Sequence, residues 1–299
     1  MKKYWIDFFS DKYSDKEWLV QKIFFAYLAW EFARDILFGY QAIPFPQSIC
    51  HLIDCTLFFT FAVGFKWIIL VLLICYILEK KMLIVTLTLA ILLCLLGLIE
   101  DSNGFQARTE LMGIIFFVQF LAYSKYFNPK NLPKNRVQFS VQVIAASYVI
   151  SALSKMQDSR LMWVSDAQYL PVQILRSIHI NEVTYPEYSE WYSLVVDWML
   201  LHPNVVTFLI STALLLELFA FIAIFSKRNA FVWGILLICM HIGINYSMSI
   251  VLKFIAYPMA IFFSNIYYFL GLIIFSVLVL FKNALLSLFL QTKTLITKN

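Results

Sequence analysis

The chain has 299 residues, of which 62% are hydrophobic and 14% charged, with a mean hydropathy of +0.78 and a net charge of +5. No soluble core of this size needs so much apolar surface, so a bilayer is the expected solvent and the expected fold class is an all-α integral membrane protein. The charge is modest and spread over loops and termini, which argues against a nucleic-acid partner and describes membrane topology instead.

Residues 1–19 are rich in charge, with Lys2, Lys3, Asp7, Asp11, Lys12, Asp15, Lys16 and Glu17, and show no short apolar core with a small-residue cleavage site. They are expected as a cytoplasmic N-terminal segment without a cleaved signal peptide. A helix crosses hydrocarbon in about 20 residues and open strands cannot cross it, so each long apolar run is read as a helix. Runs near 20–38, 50–78, 82–99, 107–124, 137–157, 204–225, 230–248 and 252–281 predict a bundle of about eight transmembrane helices. They form one domain, 20–285, followed by a cytoplasmic tail, 286–299. The second and last runs are overlong, and Gly64-Phe65-Lys66 and Pro258 are expected to kink or divide them.

Orientation follows from where Lys and Arg gather. Glu79-Lys80-Lys81, the Lys125–Arg136 loop, Ser226-Lys227-Arg228 and the Lys282–Lys298 tail alternate with uncharged or acidic connections at 39–49, Glu100-Asp101 and 158–203. Both termini are therefore expected in the cytoplasm, with the long 158–203 segment, between helices 5 and 6, outside a bacterial inner (plasma) membrane. Within it, Asp166–Ile178 reads as an interfacial helix or a cap over the bundle, and Pro186 and Pro203 break the remainder of the segment. The five cysteines, Cys50, Cys55, Cys75, Cys94 and Cys239, show no ligand spacing and read as small buried apolar residues, although Cys50 and Cys55 can meet at a membrane edge. No metal site is expected.

A charge in hydrocarbon costs on the order of 2.5 to 3.5 kcal/mol even on a lenient insertion scale, so each intramembrane ionisable residue needs a partner or a purpose. Glu31, Arg34 and Asp35 share one helix face and can neutralise one another. His51 and Asp54 open the second helix, where a carboxylate can orient an imidazole; a solvated interfacial pair is the equal reading. Arg108 and Glu110 read as an ordinary interfacial pair. Glu217 sits in mid-span with nothing polar in its own turn, so it must face protein, water or a cation on another helix. His241 and Asn245 stack on one face, and Gly243 between them is expected to let a neighbouring backbone approach.

Lys155 closes the fifth predicted helix and is followed by Gln157, Asp158 and Arg160. Two readings stand. It snorkels to the surface as an anchor, or burial leaves it a free amine for base chemistry, which a close carboxylate such as Asp158 would oppose. The predicted topology brings Arg34, Asp35, His51, Asp54, Glu100, Arg108, Lys155 and His241 to the outer half, so a polar pocket opening outward is expected.

Two blocks carry a resemblance. The first is Tyr148-Val-Ile-Ser-Ala-Leu-Ser-Lys-Met156 followed by Trp163-Val164; the second is Glu217, then Ser226-Lys-Arg228, then His241-Ile-Gly-Ile-Asn245. Together they resemble the horizontally transferred transmembrane (HTTM) superfamily, which includes vitamin K-dependent gamma-carboxylase, over about residues 145–262, with a looser match in helical layout from residue 20. The resemblance implies that Lys155 acts as a base and that His241 positions a substrate or oxyanion. It also implies a reduced quinone as cofactor and a site on the outer face. The expected function is a quinol-linked, carboxylase-like enzyme modifying a peptide or lipid-phase substrate, with Asn245, Glu217, Trp163, Arg34, His51 and Asp54 as substrate-binding candidates. The departures are specific: Asp101-Ser-Asn-Gly-Phe105 has no histidine where the carboxylase has one, Asp166 replaces a glycine, and the 299 residues hold no counterpart of the large lumenal domain. Smaller bacterial members act in the maturation or export of secreted peptides. A noncatalytic membrane protein in maturation, export or immunity of such a peptide, with membrane lipid and the peptide as partners, is therefore the alternative.

Overall fold

A computed structural model describes residues 13–39, 50, 62–102, 108–124, 132–160, 162–165, 169–172, 174–175, 189–248, 253–271, 273–274 and 277. The regular elements among them are all helical. In chain order they are α1 (Asp15–Gly39), α2 (Ala62–Ile77), α3 (Met82–Ser102), α4 (Glu110–Tyr123), α5 (Leu132–Asp158), α6 (Ser189–Leu201), α7 (Pro203–Leu218) with a 3-10 extension (Phe219–Ile224), α8 (Lys227–Met248) and α9 (Lys253–Phe262).

Local chemistry explains several boundaries. α1 starts at Asp15 rather than near residue 20, because Ser14 and Glu17 form a capping-box pair: the Glu17 N–H donates to Ser14 Oγ at 3.3 Å, and that hydroxyl donates to Glu17 Oε1 at 3.2 Å. α5 ends just after Lys155, where Arg160 takes a left-handed backbone with φ of 51°. Pro203 opens α7, where its missing N–H leaves no helical bond unmade. Of the two expected breaks, Gly64-Phe65-Lys66 falls in the first turns of α2, the run before it lying outside the described residues apart from Cys50, and Lys66 rests its ammonium 5.8 Å from the Trp30 ring. Pro258 is carried within α9, and the chain turns at Phe263–Asn265, where Asn265 has φ of 43°.

Among the described residues, four helices are long and apolar enough to cross a membrane: Met82–Ser102, Lys134–Asp158, Pro203–Ile224 and Lys227–Asn245. Val63–Ile77 and Glu110–Tyr123 are apolar but shorter. The protein is thus a membrane-associated helical protein. α3 packs on α4, α4 on α5, and α5 on both the 3-10 extension and α7; α1 packs on α2, and α9 touches α1, α5 and α8. Phe25 of α1 joins these layers, with ring centroids 4.8 Å from Phe116 and 5.2 Å from Phe262. A polar chain, Tyr76 Oη to Gln119 Oε1 at 2.8 Å and Gln119 Nε2 to Ser140 Oγ at 3.0 Å, crosses from α2 through α4 to α5.

In lipid, where hydrophobicity drives helices together weakly, close backbone approach matters more. A Cβ on Gly113 would meet Cys94 Sγ at 2.5 Å and Cys94 N at 2.8 Å, which is why α3 and α4 are so closely packed. On α8 the expectation for Gly243 is corrected: a Cβ there meets nothing within 4 Å, whereas one on Gly234 would meet Ser264 Oγ at 2.5 Å and Ser264 N at 2.7 Å. Gly234→Ala is therefore expected to destabilise the fold by about 1–3 kcal/mol through overpacking against backbone. Gly243→Ala should be neutral or slightly stabilising, since alanine is the better helix former. Unfolding of both variants in mixed micelles checks this, and equal losses would contradict the packing described.

Candidate functional site

Two groups of charged and polar side chains interrupt the apolar interior, at opposite ends of α5 and α8. At the first end, Glu17 is fully buried and Lys227 nearly so. Lys227 Nζ donates to Glu17 at 2.8 Å and to Tyr268 Oη at 3.0 Å; Tyr268 Oη donates to Glu17 Oε1 at 2.7 Å, and Asn265 Nδ2 to Glu17 Oε2 at 2.9 Å. Beside them Lys22 Nζ and Trp18 Nε1 each donate to Glu79 Oε1 at 2.8 Å, Arg136 pairs with Asp15 at 3.0 Å, and the Arg136 guanidinium lies 4.6 Å from the Trp18 ring. Burial pushes the Glu79 carboxyl up, but Lys22, Trp18 and Arg136 outweigh it and hold the group below the usual carboxylate range. The starts of α1, α5 and α8, the α2–α3 turn and the segment after α9 all meet here.

The second group lies on α5 about 28 Å of helical rise beyond Arg136. Lys155 Nζ donates to both carboxylate oxygens of Glu217, at 2.6 and 2.5 Å. Glu217 is 7% exposed and Lys155 31%, so the pair is closed on the carboxylate side and open on the amine side. The Trp163 ring, on the chain just after α5, lies 5.8 Å from the ammonium. Lys155 occupies the last turn of α5, where the helix dipole favours a cation, and its carbonyl accepts the Ser159 hydroxyl at 2.7 Å.

Two turns back on the same face of α5, Tyr148 Oη lies 2.6 Å from His241 Nε2 and 3.2 Å from Met259 Sδ. Either side can donate in the Tyr148–His241 bond; where Tyr148 donates to Nε2, His241 carries its proton on Nδ1. His241 Nδ1 is buried with no hydrogen-bond partner. Lys155 and Tyr148 stand two turns apart on one face of α5, so the two pairs line the same side of that helix and tie it to α7, α8 and α9.

Other predicted residues stand apart from this cluster. Arg34 is held on its own helix by Glu31 at 2.7 Å and Asp35 at 3.3 Å. Asn245, one turn past His241, is partly exposed and makes no hydrogen bond with His241 or Tyr148 among the described residues. His51, Asp54 and Asp166 lie outside the described residues. Two pairings are corrected. Asp158 accepts from Ser154 Oγ at 3.2 Å rather than neutralising Lys155. Arg108 pairs not with Glu110 but with Glu100, whose carboxylate is 3% exposed and accepts both Arg108 Nε and Arg108 N at 2.8 Å. Cys50 is disulfide-bonded, while Cys75, Cys94 and Cys239 are free thiols.

Tyr148 and Glu17 are the residues that sequence reasoning missed. Tyr148 had a usable signal, its i−7 spacing from Lys155, which places both on one face. Glu17 was hidden in a charged segment that reads as solvated. Among the described residues no group of three or more His, Cys, Asp and Glu can hold a metal ion.

Fold and site together define the class, a helical membrane protein with a paired lysine and glutamate and a tyrosine-bonded histidine inside its apolar bundle. No family model, curated protein or solved structure matches the chain.

Proposed function

We propose that the protein is a multi-pass enzyme of the HTTM type, with about eight spans and both termini in the cytoplasm of a bacterial inner membrane. It performs carboxylase-like base chemistry on a peptide or lipid-phase substrate at the outer face. The observation that carries this reading is the Lys155–Glu217 pair. An ammonium cannot act as a base, but Glu217, with both carboxylate oxygens on Nζ, is placed to hold its proton. Lys155 then takes a proton from the substrate while Glu217 holds the first. The half-open amine and the Trp163 ring above it define where substrate would meet the base.

With Tyr148 donating to Nε2, His241 contributes an Nδ1–H as a donor to a substrate carbonyl or oxyanion. A bound reduced quinone would supply the reducing equivalents of the resembling enzymes. The disulfide at Cys50 supports the orientation, because it lies next to the 39–49 connection expected outside and disulfides persist in an oxidising compartment.

The bidentate closure of Glu217 on Lys155 favours one other reading, a noncatalytic protein in peptide maturation, export or immunity whose ion pair simply holds α5 to α7. Mass spectrometry of secreted peptides and membrane lipids, from cells with wild-type or Lys155→Ala protein, separates the two. The enzyme reading expects a modified species present with wild type and absent with the variant, at equal levels of inserted protein. Identical spectra would sink it.

A further inference from the structure

Helix α6 carries three kinds of surface at once. On a helical wheel, Val195, Val196 and Met199 form one arc; Val196 and Met199 are buried and join Ile174 and Val206 in a small core separate from the main one. Leu194, Trp198 and Leu201 form the next arc, and they are 60%, 42% and 76% exposed. Ser193 and Asp197 form a third arc, also exposed, on the side away from Val195. The apolar half of α6 is thus wider than the protein that covers it. Part of it packs on the bundle, and the rest, apart from the His202 ring beside Trp198, is left largely exposed among the described residues.

We infer that α6 lies in the membrane interface at the Lys155 end of the bundle, with the Leu194–Trp198–Leu201 stripe in the lipid and Ser193 and Asp197 toward water. Continuity identifies the occupant. The exposed stripe runs into α7, whose Val205, Phe208 and Leu209 are likewise exposed. α7 is one of the helices long and apolar enough to cross a bilayer, and only 17% of its apolar window is buried within the protein. The exposed apolar surfaces of α7 and α6 therefore adjoin at the corner of His202, Pro203 and Asn204, all exposed, where the His202 ring lies 5.2 Å from that of Trp198. A tryptophan with its body in the acyl boundary and its N–H near the headgroups is the side chain an interfacial helix uses there. Leu200, exposed on the polar side, is the one residue this arrangement does not explain.

The consequence reaches the candidate site. Ile174 and Leu170, from the segment that carries Trp163 away from Lys155, pack on α6. A helix fixed in the interface would fix that segment, and with it the ring over the amine, at the same depth.

Spin labels on single cysteines test the inference in the full chain in phosphatidylcholine and phosphatidylglycerol vesicles, with Cys75, Cys94 and Cys239 replaced by serine. Labels at Leu194→Cys, Trp198→Cys and Leu201→Cys should collide with oxygen more often than with a water-soluble nickel chelate, at a depth of about 5–10 Å below the headgroups. Ser193→Cys and Asp197→Cys should show the reverse preference. Chelate collisions dominating at all five positions would overturn the inference by leaving α6 in water. Exclusion of both quenchers, or dipolar broadening between labels on separate copies, would overturn it in favour of a protein partner. All five sites are exposed, so labelling should leave the fold intact, and unchanged unfolding of each labelled protein verifies that.

Discussion

Lys227→Met is expected to destabilise the folded protein by about 3–5 kcal/mol, more than any other single substitution proposed for this chain. The lysine is nearly buried and Glu17 has no exposure at all, so removing the cation strands a carboxylate that water cannot reach. Tyr268, Asn265 and Ser14 would still donate hydrogen bonds to it, but none carries a charge. Glu17→Gln combined with Lys227→Met removes both charges together, and the double variant should recover most of the loss, because a buried pair stabilises little over neutral groups of the same shape. A double-mutant cycle on unfolding in mixed micelles measures this. A loss below about 1 kcal/mol for Lys227→Met would mean that water or lipid headgroups reach Glu17 after all.

Glu217→Gln is expected to lower product formation by about 10²–10⁴-fold, the usual contribution of a positioned acid or base, while costing the fold less than the Lys227 change. Glutamine keeps the shape and one of the two hydrogen bonds from Lys155 but cannot accept its proton. Lys155 is 31% exposed, so water stabilises its charge when the partner is lost, and a stability loss of about 1–3 kcal/mol, between surface and buried pairs, is expected. The modified species seen by mass spectrometry is the readout, normalised to inserted protein. Full product formation by Glu217→Gln would leave the pair as a staple between α5 and α7. Loss of product in proportion to protein level would lead to the same conclusion.

Much of the helical layout was legible because hydrocarbon admits almost no other backbone, and the apolar runs mark their own extent. α3, α5, α7 and α8 match runs predicted near 82–99, 137–157, 204–225 and 230–248. The start of α1 was not, since Ser14 and Glu17 read as part of a charged, solvated segment unless the capping pair is noticed. The residues in need of partners were also legible. Glu217 in mid-span could not stay unpaired, and Lys155 and His241 stood out against apolar neighbours.

The order of the amino acids therefore sets the solvent, the helical class and the identity of the residues that cannot tolerate that solvent alone. Which of them meet is a matter of how the helices pack. Helices that are apolar nearly all round carry no period to say which face turns inward, so rotation and crossing are set by packing. That is why Lys155 finds Glu217 rather than nearby Asp158, why Arg108 reaches Glu100 and not Glu110, and why Gly234, not Gly243, lies against a neighbouring backbone. It is also why Tyr148, unremarkable in an apolar run, is bonded to His241 across the bundle.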